Sequence, residues 1–461
     1  MTITTGFPDL LSEVRAFRAR YPDVRHVDLL SLDIPGHVYG KRYPIDMLEK
    51  VAAGSPLKLP QNCVLLGVQG GLFPIGDYCF NDGDPDALRR LIPGTLKPVT
   101  WEREPLGQML ISSDGTAAPI EFEPREVLAR VLQRLQRRGI RPVVAFELEF
   151  YLFDRALKQG LPQFPHDPFT DDPDDQPNMH IERLSRFSDV LRDMVATANA
   201  QGIDANVITA ELGPGQFEIN FGPGDGLEGP DKSYTYKNAV KEIAHKHDLI
   251  GTFMSKPING LAGCGAHFHL SLLDRDGRSV IGADRDEWGL SDVAKQFIAG
   301  NLKYAKDIYT LLVPTVNCFK RRRPHTFAPS NISWGHEDRS ALIRIKGVTE
   351  ASRHIEHRAP SGMSNPYVVA AGVMAAGLLG IREGLPLEPP SGPGPAEDDP
   401  KYEQLPWSPR EALDRFERCE PLRAILGDEF CDIWSTVRRY ELQRFEDHVT
   451  DWERTEYLEI Y

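Results

Sequence analysis

The sequence predicts an α+β protein with a small mixed module at the amino-terminal end and a larger unit whose helices pack outside a sheet. Two observations carry this. From Pro124 to Ser271 an amphipathic helix leading into a polar-faced strand recurs three times, as expected for helices covering one side of a sheet whose other side is a site. The first 115 residues instead show short strand patterns around one internal helix, and a chain of 461 residues with 41% hydrophobic content can build two or three domains.

Taken in order, residues 1–24 centre on a helix over 7–23 with Leu10, Leu11, Val14 and Phe17 on one side. Residues 25–115 form the small module. Strands are expected at Val24–Leu32 and Gly36–Pro44, joined by the Ile34-Pro35-Gly36 turn, with a helix at Ile45–Ala53. Further strands are expected at Cys63–Val68, Gly76–Asn81, Thr95–Trp101 and Gly107–Ser112.

The larger unit, 120–461, opens with a helix from Pro124 to Arg138, stopped by Gly139. The strand Val143–Phe153 follows. A second helix, Ile181–Ala200, precedes the turn Glu211-Leu-Gly-Pro-Gly-Gln-Phe-Glu218, and a third, Tyr234–His247, leads through Phe253–Pro257 to His267-Phe-His269. Val368–Ile381 reads as a buried helix capped by Asn365-Pro366, too short and too glycine-broken to cross a bilayer. Arg155–Met179 and Gly384–Pro409 read as surface loops, the Asp171–Asp175 run as a solvated loop rather than a Ca²⁺ site. Val437–Glu446 reads as a charged helix, followed by Trp452 and Tyr457 as packing anchors.

Chemistry concentrates in the strands. Gln216, Glu218 and Asn220 alternate with Phe217, Ile219 and Phe221, and Glu147/Glu149, His267/His269 and the Glu356 segment follow the same grammar. Residues i and i+2 project from one strand face about 6.5–7 Å apart, so each pair can serve one polyvalent centre. Five Glu and one or two His on neighbouring strands suit two hard cations, Mg²⁺ or Mn²⁺ rather than Zn²⁺. Together with Arg339 and Arg344 they point to phosphoryl transfer. His267 alone would fit a hydrogen-bonded core histidine; the surrounding carboxylates favour a ligand.

Composition narrows the setting. The six cysteines show no CxxC spacing, and no secretory signal is evident, so a cytoplasmic protein is expected. A net charge of −14 argues against nucleic acid as the main partner. Lys320–Arg323 reads as an anion-binding cluster rather than a localisation signal.

The motifs Glu147-x-Glu149, Glu211-x-Gly-Pro-Gly-Gln-x-Glu218, Lys256-Pro257, Gly263-x-Gly-x-His267-x-His269-x-Ser271, Asn317-x-x-Lys-Arg321, Arg339-Ser-x-x-x-Arg344, Glu356-x-Arg358 and Asn365-Pro-Tyr367 together resemble the glutamine synthetase family. The resemblance implies a β-grasp-like amino-terminal domain and a catalytic domain with an antiparallel, funnel-shaped sheet, assembled as stacked rings of a homo-oligomer (a dodecamer). It implies a first metal on Glu149, Glu211 and Glu218 and a second on Glu147, His267 and Glu356. By the same matching, His269, Ser271 and Arg344 contact ATP, and Arg339 and Arg344 grip the transferring phosphoryl. Arg321, Arg358 and Gly263 would hold glutamate.

The chain departs from the pattern where ammonium should bind. Phe327 stands in the flap in place of a Glu, and Leu59–Leu65 lacks the Asp-Gly-Ser-Ser segment. Ala262 replaces an Asn and His354 an Arg. The Phe327-Ala-Pro flap and Ser333-Trp-Gly335 resemble the γ-glutamylpolyamine synthetase branch, which implies ATP-dependent ligation of glutamate to a primary amine. Glutamine synthesis from ammonia and a non-catalytic member of the fold remain the alternatives. The base that deprotonates the amine is open, with His325 and Glu149 as candidates. Tyr402 lies where bacterial relatives carry a nucleotidylated tyrosine, and reads here as an exposed loop residue.

Overall fold

A computed structural model of the chain describes residues 9–115, 120–158, 161–166, 178–323 and 325–461. The Asp171–Asp175 run lies outside them. Two sheets organise the protein. The smaller has the strand order Val38–Pro44, His26–Leu32, Leu106–Ser113, Asp86–Leu91, Leu57–Pro60, with Lys97–Val99 also paired to Leu106–Ser113. His26–Leu32 and Leu106–Ser113 run parallel and the other pairs antiparallel, the β-grasp-like arrangement expected. Helices Leu10–Arg20 and Ile45–Ala52 close one face, burying Val14, Phe17 and Leu48 against Val27, Leu29 and Met109. The Asp9 carboxylate caps the first helix by accepting from the backbone N–H groups of Leu11 and Ser12.

Two expected strands in this module are absent. Cys63–Val68 is replaced by a 3₁₀ turn at Gln61–Leu65, and Gly76–Asn81 by turns with one isolated Ile75–Tyr78 bridge. Val64, Leu65 and Cys79 are buried while Val68 and Phe80 are exposed, and Asn62 ties the segments as loops: its side chain accepts from Cys79 N and its own N–H donates to Asp84. The strands lie instead at Leu57–Pro60 and Asp86–Leu91.

The larger sheet has ten strands. Its path is Trp334–His336, Ile343–Lys346, His354–His357, Ala266–Leu273, Arg141–Lys158, Gln216–Phe221, Ala205–Ala210, and Leu161–Gln163, Gly224–Asp225 and Leu249–Thr252 also pair with the long Arg141–Lys158 strand. It is antiparallel except for the parallel pair Trp334–His336 with Ile343–Lys346. Strand alternation separates two faces. Phe146, Leu148, Phe150, Phe217, Ile219, Phe268, Leu270 and Ile345 are buried in the main core, which extends into the helices. Glu147, Glu149, Glu218, His267, His269, Arg344 and Glu356 occupy the opposite parity.

Among those helices, Pro366–Glu383 is the centre. It is long and apolar enough to span a membrane by length and composition alone, but 83% of its apolar window is buried inside the protein. Gly300 of helix Asp292–Lys303 meets it so closely that an added Cβ would lie 2.3 Å from Ala376 O and 2.7 Å from Gly380 N. Asn365 caps it by accepting from Tyr367 N, and donates through Nδ2 to the carbonyls of Asp33 and Ile34 in the small module. Buried pairs also cross between elements: Arg89 with Glu123 at 3.1 Å, and Arg125 with Asp231 at 3.0 Å.

Other differences from expectation are local. The helix expected over Ile181–Ala200 is two, Ile181–Arg186 and Ser188–Ala200, broken at Phe187. The third helix starts earlier, at Glu228. Arg155–Lys158 continues the long strand rather than opening a loop. Gly384–Pro409 is not merely a surface loop, because Ala396 and Leu405 are buried and Trp407 stacks 4.1 Å from the Arg322 guanidinium. Trp452 and Tyr457 are not buried anchors: helix Asp451–Tyr457 has no buried residue, the two rings pack on one another at 5.7 Å, and Tyr457 also meets Tyr461 at 6.1 Å.

Candidate active site

The polar face is assembled by strand register. His267 pairs with Glu147, Glu218 with Glu149, and Glu356 with both His269 and Arg344, so residues distant in sequence become lateral neighbours. Ligand atoms of Glu147, His267 and Glu356 all lie within 4.8 Å of one another, and this is the only such group found among the described residues. His267 Nδ1 is 3.5 Å from Glu147 and 3.8 Å from Glu356, while His269 Nε2 is 3.0 Å from Glu147. Burial works to raise the Glu147 carboxyl, but the approach of the His267 and His269 rings outweighs it and holds the group far below the usual range. Burial, with Arg358 nearby, lowers His267 and favours the neutral ring that a metal ligand requires.

Glu356 is fully buried. Arg344 Nη1 approaches it at 3.1 Å and Arg358 Nη1 donates to its other oxygen. Burial raises its carboxyl, and Arg358 with the two histidines overcomes this and brings it down to about 2. Arg344 also pairs with Glu337, and its Nε is a buried donor with no partner among the described residues.

The other three carboxylates are neighbours but do not close into a comparable triad. Glu149 Oε2 accepts from Gly265 N at 2.8 Å and from Gln216 Nε2 at 3.4 Å, which ties it to backbone. Glu218, bonded to Asn220, is pushed up to about 9 by burial and by the negative charges of Glu147, Glu149 and Glu211. Glu211 is pushed up to about 7 by burial and then Glu149. Carboxylates that grip protons this tightly create the field a divalent cation complements, and the all-oxygen donors suit a hard ion. Glu147, His267 and Glu356 are thus gathered as a metal site needs, while Glu149, Glu211 and Glu218 offer hard oxygen donors that are not drawn together in the same way.

The turn that carries Glu211 is built for close approach. Gly215 has φ +69°, and an added Cβ there would lie 2.5 Å from Leu152 O. The fully buried Arg183 donates to the carbonyls of Glu211 and Gly213 and lies over the Phe217 ring. Sequence reading passed over Arg183, since a lone arginine in a short helix carries no signal of burial.

Arg321 is buried beside His267, its Nη2 3.3 Å from Nε2, with Nη1 on the carbonyls of Ala359 and Pro360. Gly263 packs against it so tightly that a Cβ would meet Arg321 Cγ at 2.7 Å. In the Lys320–Arg323 cluster, then, Arg321 joins the site while Arg322 stacks on Trp407 and Lys320 lies over Phe445. Ser271 follows His269 on the same strand face, paired with Val143. Arg339 is exposed, but its charge reaches Glu211, and its carbonyl accepts from Arg358 Nε at 2.9 Å. Ala262 receives the Tyr151 hydroxyl on its carbonyl.

The flap is distinctive. Phe327 has a left-handed backbone, φ +56°, a 54% exposed ring, and a carbonyl accepting from Arg358 Nη2. His325, a candidate base, is turned to Glu397, which accepts from its backbone N–H at 3.0 Å and faces its ring at 3.6 Å. The Tyr402 hydroxyl is buried, contrary to the exposed tyrosine expected. Sequence reading also missed Lys346, whose Nζ lies 3.5 Å from Glu147 Oε1. Its signal was present, since it extends the Arg344-x-Lys346 alternation by one step.

Residues 121–457 match the family described as glutamine synthetase, catalytic domain. The chain is 36% identical to the γ-glutamylputrescine synthetase of Escherichia coli strain K12, over 96% of this chain and 93% of that protein. It is 32% identical to a γ-glutamylethanolamide synthetase of Streptomyces coelicolor, over 94% and 92%. A solved structure titled GmaS/ADP complex superposes with a TM-score of 0.83 at 26% identity, covering 98% of this chain and 99% of that one. Eight ordered motifs, a site gathered by strand register and a match spanning most of the sequence agree that the chain belongs to the glutamine synthetase family.

Proposed function

We propose that the protein joins the γ-carboxylate of glutamate to a primary amine at the expense of ATP, through a γ-glutamyl phosphate. A carboxylate oxygen attacks the γ-phosphorus and ADP leaves; the amine then attacks the acyl carbon, phosphate leaves, and one amine proton is lost. Direct amide formation fails because oxide is a poor leaving group, and the acyl phosphate divides the task into two accessible steps. The observation that carries this reading is the buried Arg344–Glu356–Arg358 row beside His267 and Glu147, because Arg344 keeps an unpartnered Nε donor for an anionic ligand.

Within that reading Glu147, His267 and Glu356 hold one divalent cation and Glu149, Glu211 and Glu218 another, Mg²⁺ or Mn²⁺, which neutralise phosphate charge. Arg339 and Arg344 stabilise the transferring phosphoryl, and His269, Ser271 and Arg344 contact the nucleotide. Arg321, Arg358 and Gly263 orient glutamate. Phe327 gives the acceptor pocket an apolar wall, suited to an amine with a carbon chain. The six free cysteines accord with a cytoplasmic setting, and the exposed Trp452–Tyr461 segment accords with a homo-oligomer of stacked rings.

The test is phosphate release from ATP and glutamate with ammonium, a diamine, ethanolamine and an aromatic amine. Turnover with a carbon-bearing amine supports the reading. Fast turnover with ammonium alone assigns glutamine synthesis, and none with any acceptor assigns a non-catalytic protein.

A further inference from the structure

We propose that Lys346 grips the phosphate chain of the nucleotide, an assignment that rests on the ATP-dependent reading above. Lys346 stands two residues beyond Arg344 on the same strand, so both side chains leave the face that carries Glu356. Between its strand and that of Glu147 lie two others, His354–His357 and Ala266–Leu273. At about 4.8 Å per strand the two backbones are roughly 14 Å apart. The lysine must therefore lie extended across the polar face to bring Nζ within 3.5 Å of Glu147 Oε1.

That partner does not satisfy it. The separation exceeds a charge-assisted hydrogen bond, about 2.7–2.9 Å. Glu147 already faces His269 Nε2 at 3.0 Å and shares its carboxylate with the group formed by His267 and Glu356. A divalent cation on that group places positive charge beside the ammonium, which then needs a more highly charged anion than Glu147 alone. The triphosphate is the one substrate that supplies it. Of the other cations nearby, Arg353 donates to Gly289 O at 2.6 Å and to Asp284, and Arg344 spends both Nη groups on Glu356 and Glu337, keeping only its Nε for an anion. Lys346 is left as a loosely paired cation at the strand end, 27% exposed and reachable by ligand.

The experiment compares wild type with Lys346→Met and Lys346→Arg across a Mg²⁺ titration up to saturation, reading direct binding of ATP, ADP and adenosine and the KM values for ATP and glutamate. Lys346→Gln repeats the measurement should Met disturb the strand end. Expected is a loss in ATP affinity of roughly tenfold or more for Met, from one charge-assisted contact. Lys346→Arg retains most of the affinity, and adenosine binding and the glutamate KM stay unchanged. Unchanged ATP affinity in Lys346→Met overturns the assignment, as does an equal loss for adenosine and ATP. A lowered Mg²⁺ requirement with ATP affinity intact also overturns it, by assigning the ammonium to Glu147 alone. Failure of the ligase reading shows separately, as wild-type protein that binds ATP but releases no phosphate with any amine.

Discussion

Replacing Glu218 by Gln should stabilise the metal-free protein while abolishing turnover. Glu218 is 8% exposed among Glu147, Glu149 and Glu211, and burial with that negative company pushes its carboxyl up to about 9. In the unfolded chain it titrates near 4.3. Between those values the folded state binds a proton the unfolded state has released, so the stability it confers is complete below about pH 4 and declines as pH rises towards 9. Each pH unit inside the window removes about 1.4 kcal/mol, so raising pH from 5.5 to 7.5 should cost the wild type about 2–3 kcal/mol. Glu211, pushed up to about 7, acts in the same direction up to that pH. Gln imitates the protonated carboxyl and should escape the Glu218 share. Urea unfolding in EDTA at pH 5.5 and 7.5 measures it: the variant should already be the more stable at the acidic end, and its lead should widen by about 2–3 kcal/mol at the other, with Mg²⁺ rescuing wild type more than the variant. Parallel pH profiles for the two proteins would refute the electrostatic account.

Three further outcomes are expected. Glu356→Gln strips Arg344 and Arg358 of a fully buried partner and should cost roughly 3–5 kcal/mol, seen as a lowered thermal midpoint together with lost phosphate release. Phe327→Glu should lower the ratio of kcat/KM for a diamine over ammonium at least tenfold, by returning a carboxylate to the flap and removing its apolar wall, and steady-state kinetics with both acceptors reads it. Gly300→Ala drives a methyl into the backbone at Ala376 and Gly380 and should destabilise by about 1–3 kcal/mol in urea unfolding, with the acceptor preference unchanged.

The site was legible because strand periodicity writes it plainly. Glu147/Glu149, Glu218/Asn220 and His267/His269 each alternate with large apolar residues, and the structure gives those two sets opposite faces. What the sequence concealed were polar residues facing inward. Asp86–Leu91 was overlooked because Arg89 and Arg90 suggest a surface, yet Arg89 points in and meets buried Glu123. The break at Phe187 has no proline or glycine to mark it. Lys346 could be seen as a strand residue, but only the pairing of Ile343–Lys346 with His354–His357 shows that it crosses the site. Glu149 was expected to share a centre with Glu211 and Glu218, and its bond to Gly265 N depends on a loop more than a hundred residues away.

Asn365 is one of several ties between the small module and the larger unit, beside the Arg89–Glu123 pair and the Gln108–Gln201 bond. Its amide is fastened to the Asp33 and Ile34 carbonyls, and a short run of chain leads back from it to Pro360 and Ala359, whose carbonyls receive Arg321. The outer module is thereby connected, through a few residues, to the guanidinium that faces His267. Strain placed on that module thus has a route to the Arg321 guanidinium through one amide side chain, alongside the other bonds that cross the seam.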